Sequence, residues 1–510
     1  MVYKISFLYI FGGLKLKQKN YRETMGKISH LEPNAVWGYF EEICKVPRPS
    51  RKEDQIIEYL LNFADTHNLD SKKDKSGNLL IKKPAAKGKE KLKTVVLQSH
   101  VDMVGEKNKD TEHDFEKDPI KPYIEDDWVK AEGTTLGADN GLGIAAQLAL
   151  LASEKIAHGP LECLFTVDEE TGLTGAFALE SGFFEGKILI NLDSEDWGEL
   201  FIGCAGGIDT VATFDFDREH VPEDHLGFKI QVTGLNGGHS GDEIHKGLGN
   251  ALKIVNRFLW NISEDYDVRI SAFDGGKARN AIPREAEAHI SIHEEDVEHV
   301  KQYFEDYEKK IKNELKVTEP SLKLSLEETS LPGYVIDEDT QHDLINALYA
   351  CPHGVHAWSQ EIDDLVETST NLAAINTREN GSYYVTTSQR SSVDSAKHDI
   401  ASMVESVFRL GNAKVEHSKG YPGWQPNTDS EILKLTEDAY KRLFNTEPEV
   451  KAIHAGLECG LFLQKYPYLD MISIGPTIKG AHTPEERASI ETTREFWQLL
   501  VEVLRNIPEE

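Results

Sequence analysis

The sequence predicts an α/β fold in which one domain, a central mixed sheet between helices, is interrupted by a large inserted α+β domain. Three observations predict it. At 510 residues the chain exceeds the ~250–300 residues at which single cores stop growing. Short apolar runs with β character alternate with helical periodicities at both ends of the chain. Between them the glycine-rich stretch Ile202 to Ile208 marks a change of character, and a turn cluster at Gly420 to Trp424 marks the return.

Element by element, Val36, Phe40, Ile43 and Cys44, then Ile56, Ile57, Leu60, Leu61 and Ala64, fall at helical spacing and open the fold with two helices. Strands follow at Leu79 to Lys82, Thr94 to Gln98, Leu161 to Val167 and Lys187 to Leu192, with a helix from about Gly141 to Ser153. In the inserted part, strands at Phe228 to Val232 and His289 to Ile292 bracket a helix from about Gly247 to Ile262, the β-α-β pattern of a ferredoxin-like half. A second such half is expected over Leu322 to Leu410. Past Trp424 come a helix from about Ser430 to Phe444, a strand at Val450 to Ile453, a helix from about Glu458 to Lys465, a strand at Leu469 to Ile474 and a last helix, Thr492 to Asn506. The expected division is 25–206 and 419–510 for the first domain, with 207–418 inserted. Residues 1–24 hold an apolar run, Ile5 to Leu14, too short to span a bilayer and without a small-residue cleavage pattern. They are read as an extension upstream of a start at Met25, outside the fold.

With 87 acidic against 56 basic residues the net charge is −31, which disfavours nucleic acid and anionic membranes as partners. The five cysteines are odd in number and scattered, never in a CxxC pair, and read as reduced thiols of a cytoplasmic protein.

Five segments place an acid or imidazole just past an apolar run or beside a helix start, where open α/β sheets build their sites. The first, Thr94 to Asp102, ends in His100-Val101-Asp102, a metal-ligand imidazole with a carboxylate able to orient it. In Gly137-Ala138-Asp139-Asn140-Gly141, Asp139 can be a ligand or a helix N-cap. The strand from Leu161 ends in Asp168-Glu169-Glu170, three acids that repel one another unless a cation or solvent screens them; a solvated turn is the plain alternative. Ile188 to Asp193 again ends in an acid, and the loop after Ile474 presents His482 before a helix start. Together they supply two histidines and several carboxylates, the nitrogen and oxygen set of a two-metal hydrolase using zinc, or alternatively cobalt or manganese.

The ordered motifs Ser99 to Val104, Gly137 to Gly141, Asp168 to Gly172, Asn191 to Glu195 and Gly480 to Glu485 resemble those of the M20 metallopeptidases. Within that family they are most similar to the aminoacyl-histidine dipeptidases, over about residue 28 to the end. The resemblance implies a zinc-exopeptidase-like domain with a lid, two divalent metal ions per chain, and hydrolysis of Xaa-His dipeptides such as β-alanyl-histidine. It implies that Asp139 bridges the ions, that His100 and Asp193 complete one and Glu170 and His482 the other, that Glu169 is the general base and that Asp102 orients His100. In the lid, the loop Gly237 to Gly241 resembles that of an oxyanion-stabilising histidine, here His239, and Lys277 to Pro283 a substrate-binding loop, here with Asn280. Arg390 is a candidate clamp for a substrate carboxylate. The loop His454 to Gly460 lines the substrate end of the cleft, with His454 and with Gly456 letting backbone approach closely. One departure is His293, near where many relatives carry an arginine, which leaves carboxylate recognition open. Relatives in this branch are often homodimers. The competing readings are a metal-dependent deacylase or carboxypeptidase with the same metal core, and a non-catalytic metal-binding protein, which has no need of a base at Glu169.

Overall fold

At the centre of an eight-stranded sheet, four apolar strands run parallel in the order Leu161–Thr166, Val95–His100, Ile188–Asn191 and Asp470–Ser473. The first three are buried along their whole length, as expected of parallel strands covered on both faces. The structure, a computed structural model, describes residues 28–510; the expected extension at 1–24 lies outside them. Leu79–Lys83 and then Asp70–Lys73 extend one side of the sheet by antiparallel pairing; on the other side Glu199–Cys204 runs antiparallel to Asp470–Ser473, with Glu449–Ile453 beside it. The helix Ala138–Ala152 is apolar nearly all round and buried, with the amphipathic Asn34–Ile43 packed on it. The helices Glu431–Phe444 and Ile490–Arg505 pack together, and each starts at a serine, Ser430 and Ser489, whose hydroxyl accepts an amide of the first turn. A small antiparallel sheet orders Ile478–Lys479, Arg487–Ser489, Trp128–Ala131 and Pro122–Glu125.

The chain divides into two compact units. The first holds the described residues up to Ile202, Asn427–Lys451 and Leu461–Glu510; the second holds Gly203–Pro426 and Ala452–Gly460. In the second unit, His225–Thr233, Ala251–Asp265, Val268–Gly275, Ala286–His293, Val297–Glu314 and Lys323–Thr329 follow one another as β-α-β-β-α-β. Their strands lie fourth, first, third, second across the sheet, all antiparallel, which is the ferredoxin-like order. The second set is not the contiguous stretch Leu322 to Leu410 that the sequence led us to expect. Its first strand is Gly206–Asp215, ahead of the first set, and it continues through Glu338–Ala350, Val366–Arg378, Ser382–Ser391, Asp394–Leu410 and Lys414–His417 in the same spatial order. Lys323–Thr329 closes the first set instead. The split arises because only long-range pairing tells which set an alternating strand joins. One buried apolar cluster draws on all four helices and on strands of both sets. Among the described residues no helix is long and apolar enough to cross a membrane.

Candidate metal centre

Parallel pairing places the carboxyl ends of Val95–His100, Leu161–Thr166 and Ile188–Asn191 side by side, because His100 pairs with Thr166 and Gln98 with Asn191. His100, the acids at 168–170 and Asp193 therefore emerge at one end of the sheet, although up to 93 residues separate them in sequence. Asp139 and His482 come from other geometry. Asp139 lies at the opening of Ala138–Ala152 with non-helical backbone, and the capping position is occupied by Gly137, whose φ of +69° is left-handed. The carboxylate of Asp139 meets two imidazoles. His482 sits in the loop between Ile478–Lys479 and Arg487–Ser489, earlier than the expected position just before a helix, since a short strand intervenes.

The two oxygens of Asp139 point to different histidines. His100 Nε2 is 3.0 Å from Asp139 Oδ1, and His482 Nε2 is 3.2 Å from Asp139 Oδ2. His100 Nε2 also lies 3.2 Å from Asp193 Oδ1, and His482 Nε2 3.0 Å from Glu170 Oε2. Of four candidate ligand groups among the described residues, two share Asp139: His100 with Asp139 and Asp193, and Asp139 with Glu170 and His482. The others are His100 with Glu169 and Glu170, and Glu53 with Asp102 and Asp168, and within each group the candidate ligand atoms lie within 4.8 Å of one another. The electrostatics are those of crowded acids. Burial pushes Asp193 up to about 6 against the pull of His100, and the hydrogen bonds of Asp139 and Glu170 push His482 up to about 11. Burial would lower His100, but Asp193, Asp102 and Asp139 together raise it. Asp102 is fully buried; its Oδ1 lies 3.3 Å from His100 Nδ1, and it accepts the amides of Glu169 at 3.0 Å and Glu170 at 3.2 Å.

In the second unit a cavity of about 840 Å³ is lined by His239, Asn280, Asp274, Gln231 and Arg284 among others. The short strand Gly238–His239 pairs with Ala281–Ile282, which brings His239 and Asn280 together. His239 Nδ1 accepts the Asp242 amide at 3.2 Å. Arg390 and His454 are both buried, with Arg390 Nη1 donating to the Tyr421 hydroxyl at 3.1 Å and His454 Nε2 2.7 Å from Ser369 Oγ. A Cβ on Gly456 would stand 2.9 Å from the Tyr421 ring, a close approach that only glycine permits without movement. His293 ends the strand whose other end, Ala286, borders the cavity; it packs edge-on to His225 and does not line the cavity.

With this geometry in hand, comparison with known proteins is decisive: residues 96–506 match Peptidase family M20/M25/M40. The chain belongs to that family. It is 46% identical over 484 residues to the cytosol non-specific dipeptidase of Escherichia coli (strain K12), covering 95% of this chain and 100% of that relative. The crystal structure of aminoacylhistidine dipeptidase from Vibrio alginolyticus matches with a TM-score of 0.88 and 45% identity, over 96% of this chain and 100% of that one. Aminopeptidase PepT from Bacillus cereus ATCC 10987 shares the fold, with a TM-score of 0.55 at 16% identity over 94% of this chain and 99% of that one. This M20-family chain is a hydrolase acting on peptide bonds.

Four residues at the centre of this M20-family site escaped sequence reasoning. Asn140 Nδ2 donates to Asp193 Oδ1 and to the Leu192 carbonyl, holding that acid in place. Glu195 is pushed up to about 8 by burial and by the neighbouring acids Asp139 and Asp193. The buried Arg48 donates to the carbonyls of Val101, Asp102 and Gly137, and Glu486 accepts amides of the Asp139 loop. Their partners are mostly backbone groups, which leave no mark in a sequence.

Proposed function

We propose that this chain is a dipeptidase that uses two divalent metal ions, zinc in preference to cobalt or manganese, to hydrolyse Xaa-His dipeptides such as β-alanyl-histidine. The observation that carries the two-ion reading is the division of the Asp139 oxygens between two histidine-containing groups. The donor set fits: imidazole nitrogens and carboxylate oxygens suit zinc, cobalt and manganese. Glu170 Oε1 is buried without a hydrogen-bond partner, as a carboxylate reserved for a cation would be. The Xaa-His preference rests on the aminoacylhistidine dipeptidase relative, and the cytosolic setting on the cytosol dipeptidase relative.

When bound, the ions act as Lewis acids that polarise the scissile carbonyl and bring the pKa of water near neutrality. Glu169 takes the proton of the attacking water and returns it to the leaving amine. Asp102 orients His100 and, through two amides, the turn bearing Glu169 and Glu170. His239 donates to the developing oxyanion, a charge that grows only toward the transition state. Asn280, beside His239 in the cavity, binds the peptide. The Arg390 guanidinium, which lies on Tyr421 as Gly456 does, takes the substrate carboxylate bidentately, with His454 and Gly456 shaping its surroundings. A homodimer belongs to the same proposal and is read by light scattering.

The test is a metal-replete screen of carnosine, other Xaa-His dipeptides, dipeptides without histidine and N-acetyl amino acids, each with an EDTA control. EDTA-sensitive cleavage that favours Xaa-His dipeptides is expected. Brisk deacylation of N-acetyl amino acids beside negligible dipeptide cleavage would overturn the assignment.

A further inference from the structure

The loop that presents Asp139 is wrapped around a single side chain. Glu486 Oε2 accepts the amides of Leu136 at 2.8 Å and Gly137 at 2.9 Å, and Oε1 those of Ala138 at 2.8 Å and Asp139 at 3.3 Å. Four consecutive N–H groups can converge in this way because Gly137 adopts the left-handed conformation, which turns the backbone into a concave anion nest. The carboxylate is only 2% exposed, so water cannot replace any of the four bonds. Both oxygens act as acceptors, and the four amides favour the charged carboxylate against the burial that pushes its pKa up.

Glu486 stands four residues beyond His482, at the end of the same loop and just before the short strand Arg487–Ser489. Turn hydrogen bonds tie that stretch together, from Thr483 N to the Gly480 carbonyl and from Glu486 N to the Thr483 carbonyl. One side chain thus joins the loop carrying His482 to the loop carrying Asp139, two members of the same ligand group. On the other side, Arg48 joins the Gly137 carbonyl to those of Val101 and Asp102, next to His100 of the other group. The two clamps divide the labour: Arg48 serves the group of His100, Asp139 and Asp193, and Glu486 the group of Asp139, Glu170 and His482.

We propose that Glu486 is a positioning residue that assembles the second ligand group by fastening the His482 loop to the Asp139 loop. It touches no metal and no substrate; it acts through backbone amides. The proposal rests on the two-ion reading above.

The experiment is a zinc titration of the metal-stripped full chain against a chromophoric chelator, for the unmodified protein, Glu486→Gln and Glu486→Asp. Cobalt absorption spectra and thermal unfolding of the same samples accompany it. Glutamine has the size of glutamate but turns an amino group toward two amide donors, whereas aspartate keeps both acceptors. Loss of such an outer partner weakens metal binding by about 10–100-fold. The unmodified chain is expected to take two ions. Glu486→Gln should keep one at its original affinity and lose the other by at least about tenfold, with Glu486→Asp recovering part of the loss. Two ions bound by Glu486→Gln at unchanged affinity, or equal weakening of both, would overturn the proposal while leaving the two-ion reading intact. Fewer than two ions on the unmodified chain would overturn that reading and the proposal with it. Were Glu486→Gln to unfold, Glu486→Asp alone decides: a selectively weakened second ion supports the proposal, and two ions at unchanged affinity despite the shortened reach overturn it.

Discussion

Asp102→Asn probes how far the metal centre depends on a side chain placed behind it. Oδ1 accepts the Glu169 amide at 3.0 Å and lies 3.3 Å from His100 Nδ1, while Oδ2 accepts the Glu170 amide at 3.2 Å. Asparagine preserves the volume and leaves one acceptor. If the amide oxygen stays in the Oδ1 position, the new amino group faces the Glu170 N–H, so one bond to a charged acceptor is replaced by two opposed donors. If the amide flips, the Glu169 amide and His100 lose their acceptor together, so the first orientation sets the minimum cost. A hydrogen bond to a charged group contributes about 1.5–3 kcal/mol, and at about 1.4 kcal/mol per factor of ten the loss is roughly 10-fold to 150-fold. Because Glu170 belongs to the group of His482, the loss should appear first in the affinity for one ion and in kcat/KM at limiting metal. Competition titration with zinc and dipeptide kinetics at limiting and saturating metal measure both. An Asp102→Asn protein that binds both ions normally and stays within about threefold of the original kcat/KM would refute this account of Asp102.

Glu169→Gln should lower kcat by about 10²–10⁴-fold while metal content stays unchanged, measured by kinetics beside elemental analysis; depleted metal would recast Glu169 as a ligand. Gly456→Ala places a Cβ 2.9 Å from the Tyr421 ring, so overpacking of about 1–3 kcal/mol should raise KM or lower the unfolding midpoint, and an unchanged protein would show that the loop has slack. Burial, with Arg390 nearby, pushes His454 down to about 3, so the folded protein holds it neutral where the unfolded chain, with an ordinary value of 6.5, takes a proton. The stability that follows is complete above pH 6.5 and is lost as pH falls toward 3, reaching about 2 kcal/mol by pH 5. Urea unfolding at pH 7 and pH 5 should show a smaller difference for His454→Gln, and an identical difference would remove His454 as the cause.

The main helices and central strands of the first unit were legible because their signals are local: apolar periodicity at Ile56 to Ala64, and a mostly apolar run at Leu161 to Val167. The short strands Asp70–Lys73, Pro122–Glu125 and Trp128–Ala131 were not read. The two six-element sets of the second unit were only half legible. Gly206–Asp215 begins in the glycine-rich stretch read as a boundary and was not expected as a strand, and Lys323–Thr329 was placed in the second set; membership is set by which edge each one pairs with. The candidate ligands were legible as acids and histidines in short motifs. Their supports were not, since Arg48 and Glu486 bind carbonyls and amides that every residue carries. His293 was conspicuous in sequence, yet the structure sets it at the strand end away from the cavity.

By itself the sequence determined the chemical inventory: where the central strands of the first unit lie, which of them run into acids or imidazoles, and a net negative charge. Those properties belong to neighbouring residues, so they survive without a fold. Only the tertiary structure decided that Asp139 offers one oxygen to His100 and the other to His482, 343 residues further along the chain. Parallel pairing brings His100 to its end of the sheet, and the Glu486 carboxylate binds amides of the Asp139 loop; in each case at least one partner is a backbone group that every residue carries.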